Sequence, residues 1–344
     1  MSYLSSDDFA RMFGGPLDPK TIAEATQYDW SYAEVDTPTE NRIVLDLLTM
    51  VEQRKFSVAG QNTERWQKGW QENLDEFRHT GDVAALEPKY LRPAKYLRLG
   101  GKFIAPLDPM FERNWYRVFR AWFARRYLGQ FDHIYEFGCG SGHNVAFLAQ
   151  EFPDTRIYGL DWTRAASQIV YALAERFPNV RGLERFDFFQ PAKWDLWPNS
   201  AVLTVGALEQ TGLRWRPFLD FLRRTKPAMC FHIEPILEWY DPGNLVDYTA
   251  IKVHEARGFW RGFVNEVTPK WKHRTGFGSL MLEGYSQFCF DPNLPVNPER
   301  PGSQMNGNVS EPASVDARNR LALSITECAQ EAEQARIDAL EGAP

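Results

Sequence analysis

The stretch Asp132 to Gln150, DHIYEFGCGSGHNVAFLAQ, limits the fold more than any other part of the chain. It opens with an apolar run, Ile134, Tyr135 and Phe137, of the kind a buried parallel strand carries, with one acid, Glu136, inside it. Glycines follow at alternate positions, Gly138, Gly140 and Gly142. The pattern then turns helical, with Val145, Leu148 and Ala149 on one face. Strand, glycine turn and helix together make a ligand site out of backbone. Glycines let the chain turn sharply and leave bare peptide against a ligand, and the first N–H groups of the new helix point at it.

From Asp132 onward, apolar strands alternate with helical stretches, the pattern of a parallel sheet covered by helices on both faces. The expected strands are 134–137, 156–160, 182–186, 201–205 and 229–233, with two more near 279–282 and 286–290. In such sheets ligands bind outside the carboxyl ends of the strands. Suitable residues stand at four successive ends: Glu136 and Gly138, then Asp161, then Asp187 with Phe188, then Gly206. Asp161 lies 19 residues past Gly142 and can accept hydrogen bonds from both hydroxyls of a ribose, with Trp162 beside it to pack on a base. Asp187 and Phe188 suit an exocyclic amine and a ring face. A dinucleotide site wants its third glycine where His143 stands, so that family is a poor match.

The spacing E-x-G-x-G-x-G, together with these strand ends, resembles the class I, Rossmann-like, S-adenosylmethionine-dependent methyltransferases over roughly residues 130 to 290. The resemblance implies an α/β fold with a seven-stranded, mostly parallel sheet. It implies S-adenosylmethionine as cofactor across the strand ends and S-adenosylhomocysteine as product. Gly138, Gly140 and Gly142 would lie under the methionine part, Asp161 on ribose, and Asp187 with Phe188 on adenine.

The acceptor side is read from the residues alone. Methyl transfer leaves a neutral thioether, so no general acid is needed; a hydroxyl or ammonium acceptor needs a base. His254 is the first candidate, since its ordinary pKa is near neutral. Glu234, at the carboxyl end of the fifth strand, and Glu209, just past the fourth, come next. Tyr96 and Arg98 on an expected hairpin, Tyr240 after the fifth strand, and Asp247 and Arg257 on the helical stripe of His254 are candidate substrate contacts. His232 and Glu234 lack further ligands nearby, so no metal site is expected.

Four units are expected: a mainly helical cap over 1–130, the cofactor-binding domain over 131–291, a Pro- and Gly-rich linker over 292–320, and a helix over 321–344 that is available to dock on the body or on a second copy. Residues 1 to 36 show no period and read as an arm. Thr37-Pro38-Thr39-Glu40 reads as a helix start capped by the threonine. Trp66, Trp70, Leu74 and Phe77 form a packing stripe. A helix over 110–128 carries arginines at 113, 117, 120, 125 and 126, expected as a solvated face, and a long helix is expected over 244–267.

The formal net charge of −6 argues against nucleic acid as partner. So does Gly206-Ala207-Leu208-Glu209, which stands where the nucleic-acid adenine-type enzymes of this family carry Asn/Asp-Pro-Pro-Tyr/Phe. The four scattered cysteines fit a reducing compartment, and no leader or membrane-length apolar run is visible, so the expectation is a cytoplasmic enzyme acting on a small molecule. The alternative is a non-catalytic protein that keeps the fold and binds a partner.

Overall fold

The computed structural model describes residues 1–183, 185–191, 193–267, 281–282 and 285–290. The expected linker over 292–320 and helix over 321–344 lie outside them. The second half of the described chain runs β5 (His133–Phe137), α6 (His143–Glu151), β6 (Arg156–Leu160), α7 (Arg164–Arg176), β7 (Val180–Gly182), β8 (Ser200–Val205), α8 (Arg216–Thr225), β9 (Met229–Glu234), α9 (Leu245–Arg257), α10 (Phe263–Val267), β10 (Met281–Leu282) and β11 (Tyr285–Phe290). These strands make one sheet in the order β10-β11-β9-β8-β5-β6-β7. Strands β5 to β9 pair in parallel, and β11 adds antiparallel to β9.

That order places the site. From β5 the chain builds outward through β6 to β7, then returns to the other side of β5 and builds through β8 to β9. The direction of winding reverses beside β5, and there the two sets of loops part and leave a crevice at the carboxyl ends. Glu136 pairs with Gly159 on one side and Leu203 on the other, so the ends of β5, β6 and β8 lie level. Ile134, Phe137, Ile157, Ala201 and Val202 are fully buried, as strands covered on both faces require.

The first half contains β1 (Ser2–Tyr3), α1 (Ser6–Phe13), α2 (Pro19–Ala25), β2 (Ser31–Glu34), α3 (Thr37–Glu52), α4 (Thr63–Thr80), β3 (Leu97–Leu99), β4 (Lys102–Pro106) and α5 (Phe111–Phe123), which continues as a π-helical turn to Leu128. The supposed arm is therefore structured. Its helices are only 8 and 7 residues long, too short to display a period, yet Phe9, Phe13 and Trp30 are buried and Ser5 and Asp8 form a reciprocal cap. The region is also less purely helical than expected, because β1, β2, β4 and β3 form a four-stranded antiparallel sheet. The β3–β4 hairpin turns on Gly100-Gly101 as the sequence suggested.

Three boundaries and one helix face differ from expectation. The cap of α3 is Asp36, whose carboxylate accepts the Thr39 N–H at 2.9 Å, one residue before the expected threonine. Strand β7 runs Val180–Gly182, earlier than the expected 182–186. The long helix stops at Gly258, which takes a left-handed conformation (φ 65°), and α10 starts separately. On α5 the arginines are not simply solvated: Arg117 is bidentate on Glu87 at 3.0 Å, Arg125 pairs with Glu151 at 2.8 Å, and Arg120 lies over the Phe147 ring at 4.3 Å.

Helix α9 ties the halves together. Val246 and Val253 pack with Phe103, Val44 and Leu47, and the fully buried Arg98 of β3 forms an ion pair with Asp247. Asp247 also accepts the Asp241 N–H at 2.8 Å. Removing one partner of a buried pair strands the other charge, which costs about 3–5 kcal/mol. Asp247→Ala should therefore lower stability by about that amount in urea unfolding, and Arg98→Met with Asp247→Leu should recover most of it. A loss below about 1 kcal/mol for the single variant would show that the pair is not a linchpin.

Candidate functional site

The crevice beside β5 is a cavity of about 950 Å³ counting its open mouth. Its floor is the glycine turn. The N–H groups of Gly138 and Cys139 both donate to the Leu160 carbonyl, at 2.7 and 3.0 Å, and the Gly140 N–H donates to the Asp161 carboxylate at 3.1 Å. Gly138 and Gly140 hold φ of 77° and 49°, and each has a neighbour where a Cβ would stand: the Ala207 methyl for Gly138, the Trp70 ring at 2.7 Å for Gly140. Both positions therefore demand glycine for conformation and for space. Gly142 packs toward Ile169 and Leu173 of α7, so the third glycine serves helix packing.

Two acids stand at this floor. Asp161 is 7% exposed; besides Gly140 it accepts from the Thr163 N–H and hydroxyl, both at 2.8 Å. Burial raises its pKa against these hydrogen bonds. Glu136 is 2% exposed; one oxygen accepts from Asn144 Nδ2 at 2.7 Å, and the other has no hydrogen-bond partner among the described residues. Burial pushes its pKa up to about 8, only partly offset by Asn144 and Arg120. Tyr116 donates to Asn144 Oδ1 at 2.9 Å, so α5 helps orient this acid. His143, first residue of α6, also lines the cavity, and burial with Arg120 nearby pushes its pKa well below the usual range.

Of the expected cofactor residues, Glu136, Gly138, Gly140, Asp161, Trp162, Phe188 and Gly206 line this one cavity. Asp187 does not; its carboxylate turns back to accept the Phe189 N–H at 2.8 Å, and the neighbouring Phe189 lines the cavity instead.

The acceptor-side residues divide sharply. Glu209 lines the cavity and is 3% exposed. Glu234 is fully buried behind it and accepts the backbone N–H groups of Ala207, Leu208 and Glu209 at 3.1–3.3 Å. It is thus a brace for the loop that carries Gly206 to Glu209, not a group facing a substrate. His254 is also fully buried, against the Tyr240 and Phe259 rings at 5.3 and 5.2 Å, and neither ring nitrogen has a partner among the described residues. Burial, with Arg257 and Arg98 nearby, pushes its pKa well below the usual range, so it is held neutral in the core away from the cavity. Tyr240, Asp247, Arg98 and Arg257 surround that same buried spot, and Tyr96 lies under Lys95; none of the five lines the cavity. Among the described residues no group of His, Cys, Asp and Glu could hold a metal ion, and no helix is long and apolar enough to cross a membrane.

The sequence reading missed the wall opposite the floor. Trp66 and Trp70 of α4 stack at 5.4 Å, and Tyr90 stands edge-on to both at 6.4 Å. All three line the cavity, while Leu74 and Phe77 of the same stripe are core. Between the two tryptophans, Gln67 accepts the first two N–H groups of α7 at 2.9 and 3.1 Å and so fastens α4 over the cleft.

No protein-family model and no curated protein matches the sequence. Solved structures similar to it include S-adenosylmethionine-dependent methyltransferases and also the [4+2]-cyclase SpnF. One, from Aquifex aeolicus, shares 12% identity over 40% of this chain and 78% of its own, with a TM-score of 0.30. Coclaurine N-methyltransferase, bound to N-methylheliamine and SAH, shares 13% over 67% of this chain and 58% of its own, with a TM-score of 0.32. The sugar N-methyltransferase KedS8 of Streptoalloteichus sp ATCC 53650 shares 20% over 36% of this chain and 47% of its own, with a TM-score of 0.27. The chain thus spans about half the length of the last two. What those proteins act on belongs to them.

The buried Glu136 gives a stability signature. Its carboxyl keeps a proton up to about pH 8 when folded but loses it near 4.5 when unfolded. The folded state therefore binds the extra proton, and stability falls as pH rises from about 4.5 to 8. Glu136→Gln removes that loss. Its melting temperature should exceed the wild type's above about pH 6, by a margin that grows to pH 8 and then levels. A difference that does not change across pH 5–9 would place the carboxyl in a far more hydrated setting.

Proposed function

We propose that the protein transfers a methyl group from S-adenosylmethionine to a small-molecule acceptor. One observation carries this: a glycine-floored cavity at the winding reversal of the sheet, with two buried acids spaced along its floor and aromatic rings around it. The fit is chemical. Asp161 holds its oxygens beside the turn, where ribose hydroxyls would donate to it. Trp162, Phe188 and Phe189 supply ring faces for adenine. The unpartnered oxygen of Glu136 suits the amino-acid ammonium, and the N-terminal end of α6 suits the carboxylate. Bound S-adenosylmethionine supplies an electrophilic methyl group on a sulfonium.

The protein's part is placement and exclusion of water. The acceptor has to sit in line and desolvated, and α4 with its tryptophans closes the cavity over the floor for that purpose. Of the three expected bases, Glu209 lines the cavity, whereas His254 and Glu234 do not. Buried acids beside this cavity speak against a scaffold that binds no cofactor; a non-catalytic protein that binds the cofactor without turning it over remains the alternative reading.

Calorimetric titration tests the proposal. The wild type should bind S-adenosylmethionine, and Asp161→Ala should weaken it by at least about tenfold, the loss of charged hydrogen bonds to ribose. Asp187→Ala should stay within about twofold, since that carboxylate serves its own turn. No binding by the wild type, or binding indifferent to Asp161, would refute the assignment.

A further inference from the structure

We infer that Glu136 gives up a proton when the cofactor's ammonium binds beside it, and that Tyr116 and Asn144 are positioning residues that keep this proton on the oxygen the ammonium meets. This rests on the methyl-transfer proposal and adds a proton to its binding step.

The ground is a chain of hydrogen bonds running from α5 to β5. The Tyr116 hydroxyl and Arg120 Nη1 both donate to Asn144 Oδ1, at 2.9 and 3.5 Å. A guanidinium has no acceptor, so the amide atom facing it is the oxygen. Asn144 Nδ2 is thereby turned to Glu136 Oε1, to which it donates at 2.7 Å. A proton on Oε1 would compete with that amide hydrogen. The proton is therefore directed to Oε2, which is buried and has no partner among the described residues. Tyr116, Glu136 and Asn144 all line the cavity, so the chain ends where a ligand binds.

Burial decides the charge of the empty site. An ionised Oε2 would be a bare charge out of water with no donor, which is costly, whereas a protonated one is neutral. The surroundings do not reverse this. Arg120 favours the carboxylate, but its Nη1 donates to the His143 carbonyl at 3.3 Å and to Asn144. Asp161, at the end of β6, opposes ionisation. On α6, His143 is held neutral, its pKa well below the usual range. In the glycine turn, burial pushes the Cys139 thiol up, so it carries no charge. Tyr116 is pushed up to about 12 and stays a donor throughout. Glu209 lines the same cavity and adds no cation. An ammonium brings both the missing donor and the missing counter-charge. The Oε2–H bond then breaks, its electron pair stays on the carboxylate, and the proton leaves through the mouth to solvent.

Calorimetric titration of the full chain, in buffers of different ionisation heat, counts that proton. The probes are S-adenosylhomocysteine and 5′-methylthioadenosine, which lacks the amino-acid end. At about pH 6.5, below the α-amino range, the first probe is an ammonium. Its binding should release about one proton, and its affinity should rise about tenfold from about pH 6 to 7. The second probe should release fewer than about 0.2 protons. Glu136→Gln should bind S-adenosylhomocysteine with no release and with affinity flat over that range. Tyr116→Phe should weaken S-adenosylhomocysteine at least about threefold at about pH 6.5 and leave 5′-methylthioadenosine within about twofold. It should also move the S-adenosylhomocysteine profile to higher pH, which a merely structural role would not do. Asn144→Ala serves the same comparison if the Tyr116 variant does not fold.

S-adenosylhomocysteine bound without proton release, or equal release with both probes, overturns the inference and leaves cofactor binding intact. So does release that survives Glu136→Gln. A profile unmoved in both the Tyr116 and Asn144 variants overturns their positioning role. Failure of the wild type to bind either probe overturns methyl transfer and this inference with it.

Discussion

The carboxyl end of β6 grips the glycine turn, and the rest of the site follows from that grip. Three successive N–H groups, those of Gly138, Cys139 and Gly140, are bound by the Leu160 carbonyl and the Asp161 carboxylate. This folds the turn back over the sheet edge and aims α6 at the crevice. It also orders Asp161, since the same carboxylate caps the start of α7 through Thr163. One acid thus joins turn, strand and helix before any ligand arrives. A ligand that replaced none of these bonds would find its floor already built, the condition for tight binding without a large ordering cost.

The site carries its strain as electrostatics more than as backbone. Glu136 sits desolvated, and a neutral residue would suit the empty fold better there. Its retention makes physical sense when a cation shares the cavity, because the cation restores the carboxylate's charge. The same logic separates Glu136 from Glu234. Glu234 is more deeply buried, yet three backbone N–H groups satisfy it. A carboxylate so saturated has nothing left to offer a substrate. His254 is the apolar counterpart, a neutral imidazole packed among rings at the interface between α9 and the N-terminal region.

The floor of the cavity was legible in the sequence because it lives on local pattern. Strand ends, glycine spacing and the acid after β6 are all set within a few residues of one another, and parallel sheets put ligands at those ends. The residues beyond that floor were not, because their placement depends on which way a side chain turns at a junction. Alternation put Glu234 at the end of β9 correctly, but could not tell that the returning 207–209 backbone would claim it. Asp187 was lost to its own turn for a similar reason. The Trp66–Trp70 stripe shows a helical face that changes role along its length, from cavity wall to core. Nothing in a 3.6-residue period records where the partner surface ends. The short elements of residues 1–36 were invisible on the same ground, since seven or eight residues hold barely two turns.

A crystal structure of the protein saturated with S-adenosylhomocysteine tests the central claim most directly. The account predicts ribose hydroxyls within hydrogen-bonding distance of Asp161, the base between Trp162 and Phe188, and the amino-acid end over Gly138 and Gly140 beside Glu136. A cavity left empty at saturating ligand, or a ligand bound at any other place, would contradict it.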